Sequence, residues 1–350
     1  MTSNVVPDQM TYADAGVDVE AAELSVKRIK EIVRPTNNGS VVHGVGPFCA
    51  SVALDDSTMI VASADGLGTK GSLLALMDRF EIAGEDIVHH SVNDLVTSGA
   101  RPLFLLDYIG SSDLTTLQKE RVVQGLADAC VRVSGGCPLV GGETADMPDV
   151  YRPGHFELSG FIVGTVKQGS AIDVSKISIG DVLLGLPSSG LHSNGFSLAR
   201  RVFGVGIDGD ADEQRSRLDR FYSELDETLG DALTRPHLNY FNVLEAHLGD
   251  IKGIAHITGG GLPGNVTRIL PEGLAARLDK STWEVPPIFR FIQKRGNIAE
   301  EEMWRVFNMG LGMVLAVEQS NVDAVRAALP EALVVGEVVT QEGDERVTIE

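Results

Sequence analysis

The chain is poor in cysteine, in aromatic side chains and in positive charge, and each shortage closes off a class of function. Its three cysteines, Cys49, Cys130 and Cys137, form no Cys-x-x-Cys pair and have no histidine at zinc-finger spacing. They read as reduced thiols of a cytosolic protein rather than as a disulfide framework. Aromatic residues make up 5% of the chain, too few for an aromatic-lined binding surface. Against 49 acidic side chains stand 29 lysines and arginines, a formal net charge of −20 that repels polyanions. The densest basic cluster, Lys27, Arg28, Lys30 and Arg34, lies at helical spacing among apolar residues and forms no patch able to overcome that field. Neither nucleic acid nor an anionic membrane is an expected partner. No apolar run approaches the ~18 residues that span a bilayer. The start, MTSNVVPDQMTY, has neither the charge nor the apolar stretch of a signal peptide. The expectation is a soluble, cytoplasmic protein that receives any anionic substrate through local amides, lysines and metal ions.

What is abundant is glycine, 39 residues, much of it clustered. Clustered glycine marks tight turns and close backbone approach to a ligand. At 350 residues and 43% hydrophobic content the chain can bury about two domain cores. Strand patterns at 48–54, 59–62, 103–109, 158–166 and 182–186 alternate with helical ones at 19–33, 72–80, 87–98, 114–133 and 196–203. Further helical patterns cover 221–229 and 236–248, and a strand–helix–strand run closes the chain at 312–317, 322–329 and 333–338. The alternation favours α/β or mixed α+β layers. The polar stretch 167–181 divides the chain into residues 1–167 and 168–350.

Polar residues in the glycine-rich segments carry the chemistry. Asp65-Gly66-Leu67-Gly68-Thr69-Lys70 joins a strand pattern to a helix pattern. With Gly71 it matches a dinucleotide fingerprint, but Asp65 would face the pyrophosphate unless a cation lay between them. Asp65 with Lys70 suits a magnesium–polyphosphate site better, carboxylate on metal and ammonium on phosphate. A solvated strand–helix turn is the plain alternative. Asn93-Asp94 lies inside a mostly apolar helix, where a buried Asp94 needs a cation and an exposed one needs nothing. Gly141 and Gly142 allow close backbone approach, and Glu143 after them offers magnesium a hard oxygen. The run 141–148 reads as a loop. Ser188-Ser189-Gly190-Leu191-His192-Ser193-Asn194-Gly195 opens a helix with hydroxyls, an amide and an imidazole, an arrangement suited to anions and to proton transfer. His256-Ile257-Thr258-Gly259-Gly260-Gly261 repeats the theme. These residues alone point to an enzyme using magnesium and nucleotide phosphates.

The segments YADAGVDVEA from Tyr12, DGLGTK from Asp65, SVNDLVTSGARPLFLLDY from Ser91, LVGGETADMPDVY from Leu139, SSGLHSNGFSL from Ser188, HITGGGLPGN from His256 and FNMGLGM from Phe307 together resemble the phosphoribosylformylglycinamidine cyclo-ligases, or aminoimidazole ribonucleotide synthetases. The resemblance implies a two-domain α/β (α+β) subunit. Its N-terminal half, 1–167, binds ATP and pairs its sheet with that of a second subunit in a homodimer barrel. Its C-terminal half, 168–350, is a second α/β domain. It also implies ATP-dependent closure of formylglycinamidine ribonucleotide to 5-aminoimidazole ribonucleotide through an iminophosphate. Transferred by position, Asp65, Asp94 and Glu143 would hold magnesium, with Asn93, Lys70, Thr69 and Lys30 assisting at ATP. His192 and Asn194 would face the formyl-amidine end. The backbone of Ser188, Ser189 and Gly190 and of Gly259 and Gly260 would cradle phosphate. The loop from Val42 to Cys49 departs from the family, with His43, Pro47 and Cys49 where small residues are usual. Selenophosphate synthetase, thiamine monophosphate kinase, the larger amidotransferase of the preceding purine step, a dinucleotide-dependent dehydrogenase and an inactive scaffold are the competing readings.

Overall fold

In the computed structural model of the chain, residues 9–350 are described, apart from the side chains of Val19, Glu20 and Glu23. The polar start read above, residues 1–8, lies outside them. Helix α1 (Val19–Val33) precedes a six-stranded sheet made of β1 (Val41–His43), β2 (Ala50–Ala53), β3 (Thr58–Gly66), β4 (Arg101–Ser111), β5 (Leu139–Asp146) and β6 (Phe156–Lys167). Their order across the sheet is β1-β2-β3-β6-β4-β5. Every neighbouring pair is antiparallel except β4 with β5. That parallel pair needs a crossover, and α4 (Thr116–Arg132) supplies it. Helix α4 starts at a capping box in which Thr115 and Gln118 exchange hydrogen bonds.

The second half opens with β7 (Val182–Pro187), then α5 (Phe196–Phe203), α6 (Ala211–Leu218), a hairpin of β8 (Phe221–Tyr222) and β9 (Glu227–Thr228), α7 (Leu229–Thr234) and α8 (Phe241–Leu244). There follow β10 (Ile251–His256), α9 (Gly261–Val266), β11 (Leu274–Leu278), α10 (Pro287–Gly296), α11 (Glu300–Val306), β12 (Leu311–Val317), α12 (Val322–Ala328), β13 (Leu333–Thr340) and β14 (Val347–Ile349). The second sheet runs β10-β12-β7-β13-β11-β14. Strands β7 and β12 are almost wholly buried, as continuous apolar runs predict for the middle of a covered sheet.

Between α2 (Lys70–Leu76) and β4 lies the element that positions the site, α3 (Phe80–Val96). It is buried along its length apart from Glu81, Ile82 and Glu85. A helix enclosed on all sides must sit inside the molecule rather than on it. One side of α3 packs on β3 and β6, while others meet α4, α8 and β10, so it is shared by both halves. The approach to α4 is close: a Cβ on Gly125 would fall 2.0 Å from the Glu81 carbonyl. Because α3 is buried from Asp86 onward, its polar residues Asp86, His89, His90, Asn93 and Asp94 must find partners in the interior.

Three local expectations are corrected. Residues 141–148, read as a loop, are mostly strand, because pairing with β4 overrides the turn signal of Gly141-Gly142 at an edge where glycine is tolerated. Residues 221–229 form the β8–β9 hairpin instead of a helix, turned at Asp226 with φ of 56°. Within 236–248 the only α-helix is the short α8. The backbone before it is held by α3 side chains: Asp86 accepts from His237 N at 2.8 Å, Asn93 Oδ1 accepts from Tyr240 N at 2.9 Å, and Asn93 Nδ2 donates to the Leu238 carbonyl at 2.7 Å.

Candidate active site

The loop Leu67–Thr69 brings β3 into α2 through Gly68, at φ of 63°. Asp65, at the end of β3, accepts from the Gly66 amide at 2.6 Å. Its other oxygen lies 2.6 Å from His90 Nε2 on α3, off the line of a good hydrogen bond. Burial opposes charge on both groups, and their mutual attraction overrides it. Asp65 is held down at about 2, helped by the Gly66 amide, and His90 is raised to about 9. The Asp65 side chain is still 43% exposed and open to a ligand.

Asp94 is different. It is 5% exposed, and its oxygens accept from Ser63 Oγ at 3.0 Å and lie 2.8 Å from His256 Nδ1. The exposed alternative for Asp94 is therefore set aside. Asn93 spends both ends of its amide on the 238–240 backbone. Lys70 is enclosed completely, 2.5 Å from Asp86 Oδ2 and donating to the Arg235 carbonyl at 2.8 Å. Burial pushes Lys70 down and Asp86 up, each opposed by its partner's charge. The pair ties α2 to α3 and to the segment after α7. Thr69 lies outside this core, its hydroxyl 3.2 Å from Ser197 Oγ in a cavity of about 560 Å³ lined also by Arg152, Arg200 and Arg201.

Glu143 does not join Asp65. Strand register pairs Gly66 with Ser159, Ser159 with Tyr108 and Tyr108 with Glu143, so Glu143 shares the sheet face of Gly66 rather than that of Asp65. Three strand spacings separate them, roughly 14 Å at 4.8 Å each. A magnesium ion takes its ligands at about 2.1 Å, so Asp65, Asp94 and Glu143 of one chain do not fit around a single ion. Among the described residues, the sets of three carboxylate or imidazole groups whose ligand atoms all come within 4.8 Å of one another are Asp65, His90 and Asp94, and His90, His237 and His256.

The loop of Ser188–Gly195 meets this cluster from the second half. Ser188 Oγ is engaged with the Gly190 carbonyl and Asn308 Oδ1, and Ser189 Oγ donates to the Pro236 carbonyl. Both hydroxyls are thus consumed internally. His192, at φ of 59°, is 1% exposed and stacks on the His237 ring at 4.0 Å between centroids. Gly312 makes room for it, since a Cβ there would lie 2.7 Å from His192 Cε1 and 1.9 Å from the Tyr240 hydroxyl. Burial first, and then the neighbouring charges, push His192 well below its ordinary range, so it is neutral at pH 7. His192 Nε2 accepts from the Ser189 amide at 3.3 Å, which assigns the proton to Nδ1, and Nδ1 has no partner. The buried Nδ2 of Asn194 also has none. Asn194 borders Gly259: a Cβ on Gly259 would sit 3.6 Å from its Oδ1. Gly260, at φ of 95°, then leads into α9. Lys30 on α1 reaches the other glycine loop, its ammonium 3.8 Å from where a Gly46 Cβ would stand.

The structure therefore gathers Asp65, Asp94, His192, Asn194 and Gly259 at the junction of the two halves and leaves Glu143 outside. Asp86, His90 and His237 join the same cluster without having been singled out by motif. A signal for them existed in part: Asp86, His89, His90, Asn93 and Asp94 recur at helical spacing among the apolar residues of this helix.

Sequence and structure comparisons place the two halves in a known family. Residues 46–166 match the family of AIR synthase related proteins, N-terminal domain, and residues 178–349 match the AIR synthase related C-terminal domain. No helix among the described residues is long and apolar enough to cross a membrane. The fold recurs in thiamine-monophosphate kinase from Stenotrophomonas maltophilia (TM-score 0.60, 16% identity, 93% of this chain and 95% of that one). It recurs also in AaThiL complexed with AMPPCP and TMP (TM-score 0.59, 14% identity, 92% and 91%). The two domain matches define the class, an AIR synthase related subunit, and the solved structures show its fold. Within it the chain belongs to the phosphoribosylformylglycinamidine cyclo-ligase family. It is 45% identical to the cyclo-ligase of Pseudothermotoga lettingae over 95% of this chain and 98% of that one. With that of Syntrophotalea carbinolica it shares 42% identity over 97% and 98%. The chain is a ligase of purine biosynthesis that cyclises formylglycinamidine ribonucleotide to 5-aminoimidazole ribonucleotide.

Proposed function

We propose that ring closure is driven by ATP in two steps at the junction of the halves. The γ-phosphoryl group passes to the formamide oxygen as the formamide N–H proton is lost to solvent, giving an iminophosphate and ADP. An internal nitrogen of the same substrate then attacks the activated carbon, and phosphate leaves with the former amide oxygen. An amide oxygen is a poor leaving group and phosphate a good one. Closure within one held molecule also gains up to ~7–11 kcal/mol in ideal cases over a bimolecular reaction. AMPPCP in the kinase-type neighbour supports ATP as the phosphoryl donor.

The observation that carries this reading is the pair of partnerless buried donors, His192 Nδ1 and Asn194 Nδ2, on one loop beside Gly259. Unpaired buried donors cost about 1–3 kcal/mol each, and an oxygen of the formamide or of its phosphorylated form satisfies both. Held rigid, they stabilise charge that develops on that oxygen. His192 thus acts as a neutral donor rather than a base. The Asp65–Thr69 turn, with Lys30 reaching over from α1, receives the triphosphate, and the backbones of Ser188–Gly190 and Gly259–Gly260 cradle phosphate. Magnesium accompanying ATP neutralises triphosphate charge, and Asp65 is the carboxylate of this chain suited to touch it.

The half from residue 1 to 167 serves ATP binding and homodimerisation, and 168–350 forms the second domain, in a cytoplasmic enzyme. The helix-free face of the first sheet exposes Phe161 (42%) and suits pairing with a second copy. The test is ADP formation stimulated by formylglycinamidine ribonucleotide. His192→Asn should lower the stimulated rate by about 10²–10³ while ATP still binds. An unchanged rate in that variant contradicts the assignment.

A further inference from the structure

Buried below His192 lies a cluster of three imidazoles. His90 from α3, His237 from the segment before α8, and His256 at the end of β10 are 3%, 1% and 0% exposed. Their rings stand edge to face or tilted, with centroids 4.9–5.3 Å apart. One nitrogen from each falls within 4.8 Å of the others. Three separate observations point to a ligand at their centre. First, His256 Nε2 and His237 Nε2 face each other at 3.2 Å. Two nitrogens bound tetrahedrally at about 2.0–2.1 Å stand roughly 3.3–3.4 Å apart. Second, the outer nitrogens are oriented from behind: His256 Nδ1 lies 2.8 Å from Asp94 Oδ1 and His237 Nδ1 lies 3.2 Å from Ser193 Oγ. A carboxylate behind an imidazole is the usual support of a metal-binding histidine, and it leaves the Nε2 lone pair of His256 pointing inward. Third, His90 Nδ1 is enclosed without a hydrogen-bond partner while Asp65 stands behind Nε2 at 2.6 Å, and binding an ion displaces the proton that Asp65 otherwise holds on this ring.

We propose that His90, His237 and His256 form a binding site for one transition-metal ion of the zinc class. Imidazoles suit zinc, cobalt or nickel, whereas magnesium takes oxygen ligands, so this ion is distinct from one that travels with ATP. Its ligands come from both halves, and one of them, His237, is the ring on which His192 stacks. The ion therefore fastens α3 to the C-terminal half and fixes the floor beneath His192. Ions of this kind enter as the chain folds, since the three rings are closed to solvent.

The test uses the full-length chain without a histidine tag, stripped by a strong chelator and then refolded with zinc or cobalt. The expected result is about one ion retained per chain after gel filtration, with the intense visible bands of tetrahedral cobalt. Zinc should raise the melting temperature of the stripped protein and magnesium should not. His237→Asn and His256→Gln should each lose the ion, while the control His247→Asn keeps it. If the variants do not fold, the cobalt spectrum and the melting temperature of the unaltered chain decide. Retention below about a tenth of an equivalent by the folded unaltered chain, or a full equivalent kept by folded His237→Asn and His256→Gln, overturns the proposal. Loss of this site leaves substrate-stimulated ADP formation as a separate measurement, so the two readings fail independently.

Discussion

Replacing Lys70 by methionine separates two views of this lysine. From the motif it would be a phosphate ligand; in the structure it is enclosed against Asp86 at 2.5 Å and against the Arg235 carbonyl. Methionine fills most of the volume but leaves Asp86 buried with the His237 amide as its remaining hydrogen-bond donor. Removing one member of a buried pair costs about 3–5 kcal/mol, because the other charge stays desolvated and unpaired. That is a large share of the 5–15 kcal/mol typical of native proteins. The further change Asp86→Asn removes the stranded charge while keeping an oxygen for His237. Lys70→Met with Asp86→Asn should therefore recover most of the loss. The assay is urea unfolding, followed by circular dichroism and by the fluorescence of Trp283 and Trp304. The single variant should unfold at clearly lower urea and the double variant close to the unaltered chain. A single variant with an unshifted midpoint and lost ATP binding would refute the buried-pair account and restore Lys70 to the phosphates.

Asn93→Ala should destabilise the chain by about 2–4 kcal/mol, since two hydrogen bonds to the 238–240 backbone disappear, as read from the same urea transitions. Gly312→Ala should abolish substrate-stimulated ADP formation, because its methyl would enter the space of His192 and Tyr240; a fully active variant would show that this packing is not needed. Cys49, 7% exposed, has its thiol pushed up to about 11 by burial, so at pH 8 nearly all of it is the unreactive thiol. Mass spectrometry should find it slow to alkylate at pH 8 in the native chain and quick in urea, whereas rapid native labelling would revive a reactive-cysteine chemistry for this loop.

The fold class was legible because strand and helix patterns alternate so regularly, and the long elements β4, α4 and β6 fall where their periodicity places them. What local pattern could not show is what tertiary contacts decide. Gly141-Gly142 signals a turn, yet β4 offers an unpaired edge and the segment extends along it. Residues 236–240 have helical apolar spacing, but Asp86 and Asn93 capture their amides first. At the site, glycine clusters drew attention to Asp65, His192 and Gly259, which the fold brings to the junction of the two halves, because close backbone approach leaves its mark in glycine. They misled for Lys70 and Glu143, since a motif does not reveal which face of a sheet or which side of a helix its charge occupies. His90, His237 and His256 lie far apart in sequence, and only the burial of α3 between the two halves unites them.

Oxygen tracing tests the central claim most directly. Formylglycinamidine ribonucleotide labelled with ¹⁸O in its formyl group is turned over with unlabelled ATP, and the inorganic phosphate is analysed by mass. Phosphate carrying one ¹⁸O for each ring closed is the predicted result, because the amide oxygen departs on the phosphoryl group it received. Unlabelled phosphate with the label released into water would contradict phosphorylation of the substrate.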